Sequence, residues 1–205
     1  MRYIFIVVAA TFSLPALGQN GYIRLLDNDS VLTGFVRPYA GNLPGEMLEF
    51  WKTKYDKNPR RISKDDIFEY AIKKDTVRIL HKYQPFADES VYFERMEVPI
   101  RHGKKINIMS VPLGNPNPTL MPSAAGTIGV VVYIPITKIY PGHPYLYLLE
   151  DTNGGLPRAI PPKGEPIIDA LREFFPVRYL ERYAEEYGPI KYQHIPKIVN
   201  LFNSK

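Results

Sequence analysis

Short apolar runs alternate with polar turns over most of this 205-residue chain. Within residues 21–36, two runs with hydrophobic residues at alternate positions flank the turn formed by residues 27–30. Similar runs follow at residues 47–52, 67–72, 77–83, 91–100 and 105–111, each bounded by turn-forming residues. Alternation over four to eight residues is typical of a strand that buries one face. The pattern therefore predicts an antiparallel small barrel or sandwich.

The proline-rich stretch at residues 112–126 interrupts this pattern and predicts a long surface loop or a connector. Apolar runs at residues 127–134 and 145–149, with an Asn-Gly turn at residues 151–155, then predict strands that complete the sheet. We expect a β-rich domain over residues 19–162, either as one unit or as two β subdomains joined near residues 112–126.

Apolar residues change to a helical period near residue 167. Pro176 suits the first turn of a second helix, and Gly188-Pro189 ends it. Residues 195–202 predict a last short helix. The expected fold is mainly β (α+β), with two or three short C-terminal helices over residues 163–205 that pack on the sheet or cap one open end.

The first 18 residues have the three parts of a signal peptide. Arg2 precedes an apolar run at residues 4–17, and Ala16-Leu17-Gly18 fits the small-x-small cleavage pattern. The run is too short for an ordinary transmembrane helix, and no later segment is long and apolar enough to span a bilayer. We expect cleavage after Gly18 and export to the periplasm or the cell exterior; the alternative is a buried N-terminal strand.

The cysteine content and the net charge limit the kinds of site and partner that the chain could have. There is no cysteine, so the chain has no lipid-attachment cysteine, disulfide or thiolate metal site. The formal charge is +5, and removal of residues 1–18 takes away Arg2 and no acid, which leaves +4. The basic clusters at residues 52–57, 60–64 and 101–105 are interpreted as solvated hairpin tips rather than a polyanion site. Export and the lack of a continuous basic stripe argue against nucleic acid as a partner.

Several motifs resemble a group of uncharacterised secreted proteins of the Bacteroidota. The motifs are Gly21-Tyr22-Ile23, Gly34 inside a strand, Leu48-Glu49-Phe50, the element Ser63, Asp65, Asp66, Ile67 and Tyr70, Gly103-Lys104, residues 171–175 and residues 195–203. The resemblance covers most of the chain after residue 18. It implies export and a β-rich fold, and it supplies no activity.

No catalytic or metal-binding motif emerges from the sequence. The histidines His81, His102, His143 and His194 have no metal-ligand spacing, and no serine lies in a G-x-S-x-G elbow. The best carboxylate pair, Asp65-Asp66, is expected to cap a helical turn together with Ser63, so that Ile67 begins a core strand.

Two functions remain open at this point. We expect a non-catalytic binding or scaffolding module of the cell envelope, with an envelope protein or polysaccharide as partner and no cofactor. Its candidate ligand face consists of Tyr22, Trp51, Tyr55 and Tyr70, although aromatic side chains more often fill a core. The alternative is a hydrolase of an envelope glycan or peptide polymer. That enzyme would use Asp65, Asp66 or Glu69 as carboxylates.

Overall fold

A computed structural model describes residues 19–40, 46–84, 93–112, 145–162 and 167–204. The predicted signal peptide, the strand expected at residues 127–134, His143 and the connector after residue 112 lie outside these ranges. The possible junction between two β subdomains lies outside them as well.

The described residues form ten strands in one antiparallel sheet, which confirms the mainly β fold. The strands are β1 (Gln19–Leu25), β2 (Val31–Pro38), β3 (Met47–Trp51), β4 (Arg60–Ser63), β5 (Ile67–Ile72), β6 (Asp75–Tyr83), β7 (Phe93–Arg101), β8 (Ile106–Pro112), β9 (Tyr145–Asp151) and β10 (Arg158–Ile160). Their order is β10-β9-β8-β7-β6-β5-β1-β2-β3-β4, and a 3-10 turn at Lys64–Asp66 connects β4 to β5. The sheet is not closed, so of the two predicted forms, a small barrel or a sandwich, the closed barrel is not formed.

The predicted turns are present, and local side-chain bonds explain them. Between β1 and β2, the Asn28 side-chain oxygen accepts a bond of 3.0 Å from the Ser30 backbone N–H. Between β9 and β10, Asp151 accepts a bond of 2.7 Å from the Asn153 N–H. Such side chains replace strand-to-strand bonds with a local partner, and this is why Asn and Asp favour turns.

A β-bulge at Phe68 changes which side chains β5 buries. Arg24 on β1 lies opposite Glu69, whereas the next residue, Leu25, lies opposite Ile67, so Phe68 is the extra residue. The register of β5 shifts there by one residue, as expected of a bulge. Ile67 and Tyr70 both point into the core between β1 and β6, and Ile67 is completely buried, as predicted.

Both faces of the sheet carry core residues. The cluster of Ile67 and Tyr70 fills the curled half made by β1 to β6. On the opposite face, a second cluster packs β6 and β7 against β8 and β9. This second cluster is apolar. Next to it, β5, β6 and β9 bury three charged side chains, which are Glu69, Arg78 and Glu150.

Three short C-terminal helices are present, as predicted, and they cover one face of β8 and β9. They are α1 (Ile167–Arg172), α2 (Val177–Tyr187) and α3 (Ile195–Asn203). Buried residues of all three helices share one cluster with Ile106 and Leu149. None of the helices in the described part of the chain has the length and apolar character needed to cross a bilayer.

Candidate ligand-binding cleft

A cleft of about 580 Å³ lies between β6 and β9, beside the buried charged residues Arg78 and Glu150. Residues of β1, β5 and β6 line one side of it. The β7–β8 turn and the β9–β10 turn line the other side. Because Arg78 of β6 lies at its floor, we call this feature the Arg78 cleft.

The Arg78 guanidinium joins two buried carboxylates. Its Nε and Nη2 lie 3.1 Å from Glu69 Oε2, and its Nη1 donates to Glu150 Oε1 at 2.8 Å. The Glu69 and Glu150 side chains are only 4% and 10% exposed. Ions so well shielded from water need close partners, because desolvation without pairing is strongly unfavourable. The shared cation supplies such a partner to both carboxylates.

Neutral donors complete the bonding of the two glutamates. The Asn107 amide donates to Glu150 Oε2 at 2.7 Å and accepts from the Gly103 N–H at 3.1 Å. The Tyr22 hydroxyl donates to Glu69. Burial and this hydrogen bond to a carboxylate raise the pKa of Tyr22 to about 12, because both disfavour the phenolate.

His102 is the most exposed member of this network. Its Nε2 lies 3.1 Å from the Glu69 carboxylate, and its side chain is 47% exposed. The turn that carries His102 is held by Asn203 at the end of α3. Asn203 accepts bonds from the backbone N–H groups of Lys105 and Ile106 at 3.0 and 3.1 Å. The C-terminal helix therefore fixes one wall of the cleft.

The opposite wall carries an aromatic ring between two cations. The Phe68 ring has the Arg78 guanidinium 4.1 Å from its centroid and the Arg24 guanidinium 4.8 Å away. The bulge in β5 brings this ring to the face of the network. Two aliphatic side chains, Leu26 and Leu156, are exposed at the rim, and Leu156 is 84% exposed.

The arrangement suits recognition better than acid–base chemistry. A concave surface that combines apolar contacts with a few fixed polar groups is the usual form of a ligand site. Glu69 and Glu150 both accept bonds from a cation and from neutral donors, so their oxygens already have partners within the protein. Among the described residues, no group of three His, Asp or Glu side chains could hold a metal ion.

The four aromatic residues predicted as a ligand face do not share one surface. Tyr22 contributes to the Arg78 network, whereas Tyr70 points to the other face of the sheet and donates to Glu97 at 2.8 Å. Burial is the main cause that raises the pKa of Tyr70. Trp51 lies at the end of β3 beneath the Arg37 guanidinium, and Tyr55 is exposed in the β3–β4 connection.

The three candidate carboxylates are also separated. Only Glu69 belongs to the Arg78 network, and it lines a neighbouring pocket together with Tyr22 rather than the Arg78 cleft itself. Asp65 is exposed and pairs with Arg95 at 2.7 Å on the opposite face. The cap of the 3-10 turn is Ser63, whose hydroxyl accepts from the Asp65 N–H at 3.2 Å. The expectation that Asp66 caps the turn is wrong, because its side chain has no hydrogen bond among the described residues, and only its backbone oxygen is used, by Leu26.

Sequence reasoning did not single out Arg78, Asn107 or Glu150. Each lies in an apolar run, at a position where strand alternation buries the side chain. A charged or amide side chain in the buried phase of a strand needs polar partners, and this signal identifies it before a structure is available. His81 also lines the cleft, where its Nε2 lies 2.9 Å from the Ile67 carbonyl oxygen. His194 lies in a 3-10 turn before α3.

Comparison with known proteins adds no relative to this picture. No protein-family model, curated protein or solved structure matches the chain.

Proposed function

We propose that this chain is an exported protein of the cell envelope that binds a ligand in the Arg78 cleft without catalysing a reaction. The observation that carries the proposal is the combination of a fully bonded polar floor with exposed Leu26 and Leu156 at the rim. Export rests on the signal pattern of residues 1–18. A mature N-terminus at Gln19 in protein from the native cell would support it; a retained Met1 would oppose it.

The geometry favours binding because the polar groups are fixed before a ligand arrives. Glu150 accepts bonds from both Arg78 and Asn107, and Asn203 holds the neighbouring turn. A site that is already ordered loses little conformational entropy when it binds, so more of the contact energy appears as affinity. The half-exposed His102 and the rim leucines are the groups that a ligand would contact first.

The test is a binding screen of the mature chain against labelled peptidoglycan fragments and envelope polysaccharides. A probe that occupies the Arg78 cleft should bind at least tenfold more weakly to His102→Ala and to Leu156→Ser. Val177→Ser is the matched control, because Val177 is also an exposed aliphatic residue but lies on α2. Unchanged affinity in both cleft variants, with wild-type urea midpoints, would contradict the proposal.

A hydrolase of an envelope glycan is the second candidate, and one observation favours it. Glu69 and Glu150 are two carboxylates that pair with one guanidinium; Glu150 lines the Arg78 cleft, and Glu69 lines a neighbouring pocket. Paired carboxylates are the usual requirement for glycoside hydrolysis. Glycan cleavage that is abolished in Glu69→Gln and kept in Asp66→Ala would replace the binding proposal, since Asp66 lies outside the cleft.

A further inference from the structure

The connection between β3 and β4, together with the first two residues of β4, is rich in positive charge. Residues 52–61, which we call the basic tip, contain the cations Lys52, Lys54, Lys57, Arg60 and Arg61 and the single acid Asp56. Their net charge of +4 compares with +5 for the whole chain. Residues 52–58 are all exposed. The side chains of this turn are therefore accessible to a partner.

The acids near the basic tip are already bonded. Asp56 accepts bonds of 2.9 Å from both the backbone N–H and the hydroxyl of Thr53, and these bonds lower the pKa of its carboxyl. Glu49, at the base of the hairpin, lies 2.7 Å from Arg37 and 3.7 Å from Arg61. Neither carboxylate contacts a lysine of the tip through an ion pair among the described residues. Lys52 also lowers the pKa of Asp56 electrostatically, but all three lysines are exposed to solvent.

Aromatic rings accompany these lysines. Tyr55 is 79% exposed, and the Lys54 ammonium lies 5.0 Å from its ring centroid. Trp51, at the base, lies under the Arg37 guanidinium. Tyrosine, tryptophan and lysine have an apolar body and a polar end, so they suit the headgroup region of a bilayer.

We propose that the basic tip binds the surface of an anionic lipid bilayer. An exposed turn can bring several cations against a flat surface at once, and the exposed Tyr55 ring beside them suits the headgroup region of a bilayer. A lysine close to an anionic surface contributes about 1 kcal/mol, or about fivefold in affinity. The proposal is independent of the Arg78 cleft, because the tip contributes no residue that lines the cleft.

Co-sedimentation with lipid vesicles tests this proposal. The mature chain, residues 19–205, should bind vesicles of phosphatidylcholine with phosphatidylglycerol and not vesicles of phosphatidylcholine alone. The triple variant Lys52→Gln, Lys54→Gln, Lys57→Gln should bind about 100-fold more weakly, given about fivefold per lysine. Raising the salt to about 1 M should also release the protein, because screening then acts within about 3 Å. Tyr55→Ala should weaken binding by a smaller factor.

The matched control is the triple variant Lys73→Gln, Lys74→Gln, Lys104→Gln. It removes the same charge from two other exposed turns, and it should retain most of the binding. An equal loss in both triple variants would show a general charge effect and overturn the proposal. Equal binding to neutral and anionic vesicles would overturn it too. So would tighter binding to soluble dextran sulfate than to anionic vesicles with no effect of Tyr55→Ala, which would assign the tip to a polyanion.

Discussion

Two buried ionic networks lie on opposite faces of this sheet, and they differ in their ratio of charges. On one face, Lys64 lies 2.7 and 2.8 Å from the two oxygens of Glu97, so one cation meets one carboxylate. On the other face, Arg78 meets both Glu69 and Glu150. Neutral donors from Tyr22 and Asn107, and the exposed His102 ring, also contact the two carboxylates at Arg78.

The difference separates a structural contact from a candidate site. Lys64 lies in the 3-10 turn after β4, and Glu97 lies on β7, two strands that are far apart in the order of the sheet. Their ion pair therefore fastens the curled half of the sheet to β7, and the neighbouring pair of Arg95 with Asp65 does the same. The Arg78 network joins adjacent and facing strands at the edge of an open cleft, where a ligand can approach.

Removing the shared cation should produce the largest effect. In Arg78→Met, two buried carboxylates lose their charged partner, and we expect a loss of about 3–5 kcal/mol in the free energy of unfolding. Urea denaturation measures it. Adding Glu69→Gln and Glu150→Gln should restore more than half of the loss, because the amides keep acceptors for Tyr22 and Asn107 without the uncompensated charge.

Lys64→Met provides the comparison from the other network. Glu97 is 18% exposed and keeps its hydrogen bond from the Tyr70 hydroxyl. The Lys64→Met variant should therefore lose less free energy of unfolding, about 1–3 kcal/mol. Equal destabilisation by Lys64→Met and Arg78→Met would show that the ratio of charges does not distinguish the two networks.

Each network also contains a tyrosine that should make the fold sensitive to alkali. The pKa of Tyr22 is raised to about 12, and that of Tyr70 is raised as well, in both cases with burial as the largest cause. A raised folded-state pKa gives stability that is fully present below the unfolded value of about 10 and is lost as pH rises through the folded value. The free energy of unfolding should therefore fall from about pH 10 upward.

Phenylalanine variants assign this dependence to its groups. Tyr22→Phe should make the fall between about pH 10 and the folded-state pKa near 12 less steep. Tyr70→Phe should do the same, and its effect should extend to higher pH. Tyr55→Phe is the control, because the Tyr55 side chain is exposed rather than buried. An unchanged slope in both buried variants, measured by urea denaturation at a series of pH values, would contradict the assignment.

The strands, turns and C-terminal helices could be predicted because local signals specify them. Alternation places Ile67 in the core, and Asn28 and Asp151 form turns with their own neighbours. Closure of the sheet depends on contacts between distant strands, which alternation does not encode. The bulge at Phe68 is also invisible to a regular alternation, and it decides that Glu69 joins the Arg78 network.

The candidate site was harder to predict because its members come from distant parts of the chain. Glu69 and Glu150 meet only because β8 and β9 fold over β6. Reasoning from neighbouring residues favoured Asp65-Asp66, which are adjacent in sequence. In the structure, the Asp65 carboxylate pairs with Arg95 of β7, and Asp66 contributes only its backbone oxygen, which accepts from the Leu26 N–H.

The smallest predicted effect concerns the turn that carries Lys64. Ser63→Ala removes the hydroxyl that accepts the Asp65 N–H, and loss of such a cap reduces stability by about 0.5–2 kcal/mol. Asp66→Ala removes an exposed side chain with no bond among the described residues, and should change stability by less than about 0.5 kcal/mol. Ser63→Asn should be mild, because Asn also caps. Urea midpoints for the three variants distinguish the roles. A larger loss from Asp66→Ala than from Ser63→Ala would return the cap to Asp66; the expected order would show that the Ser63 hydroxyl supports the turn from which Lys64 reaches Glu97.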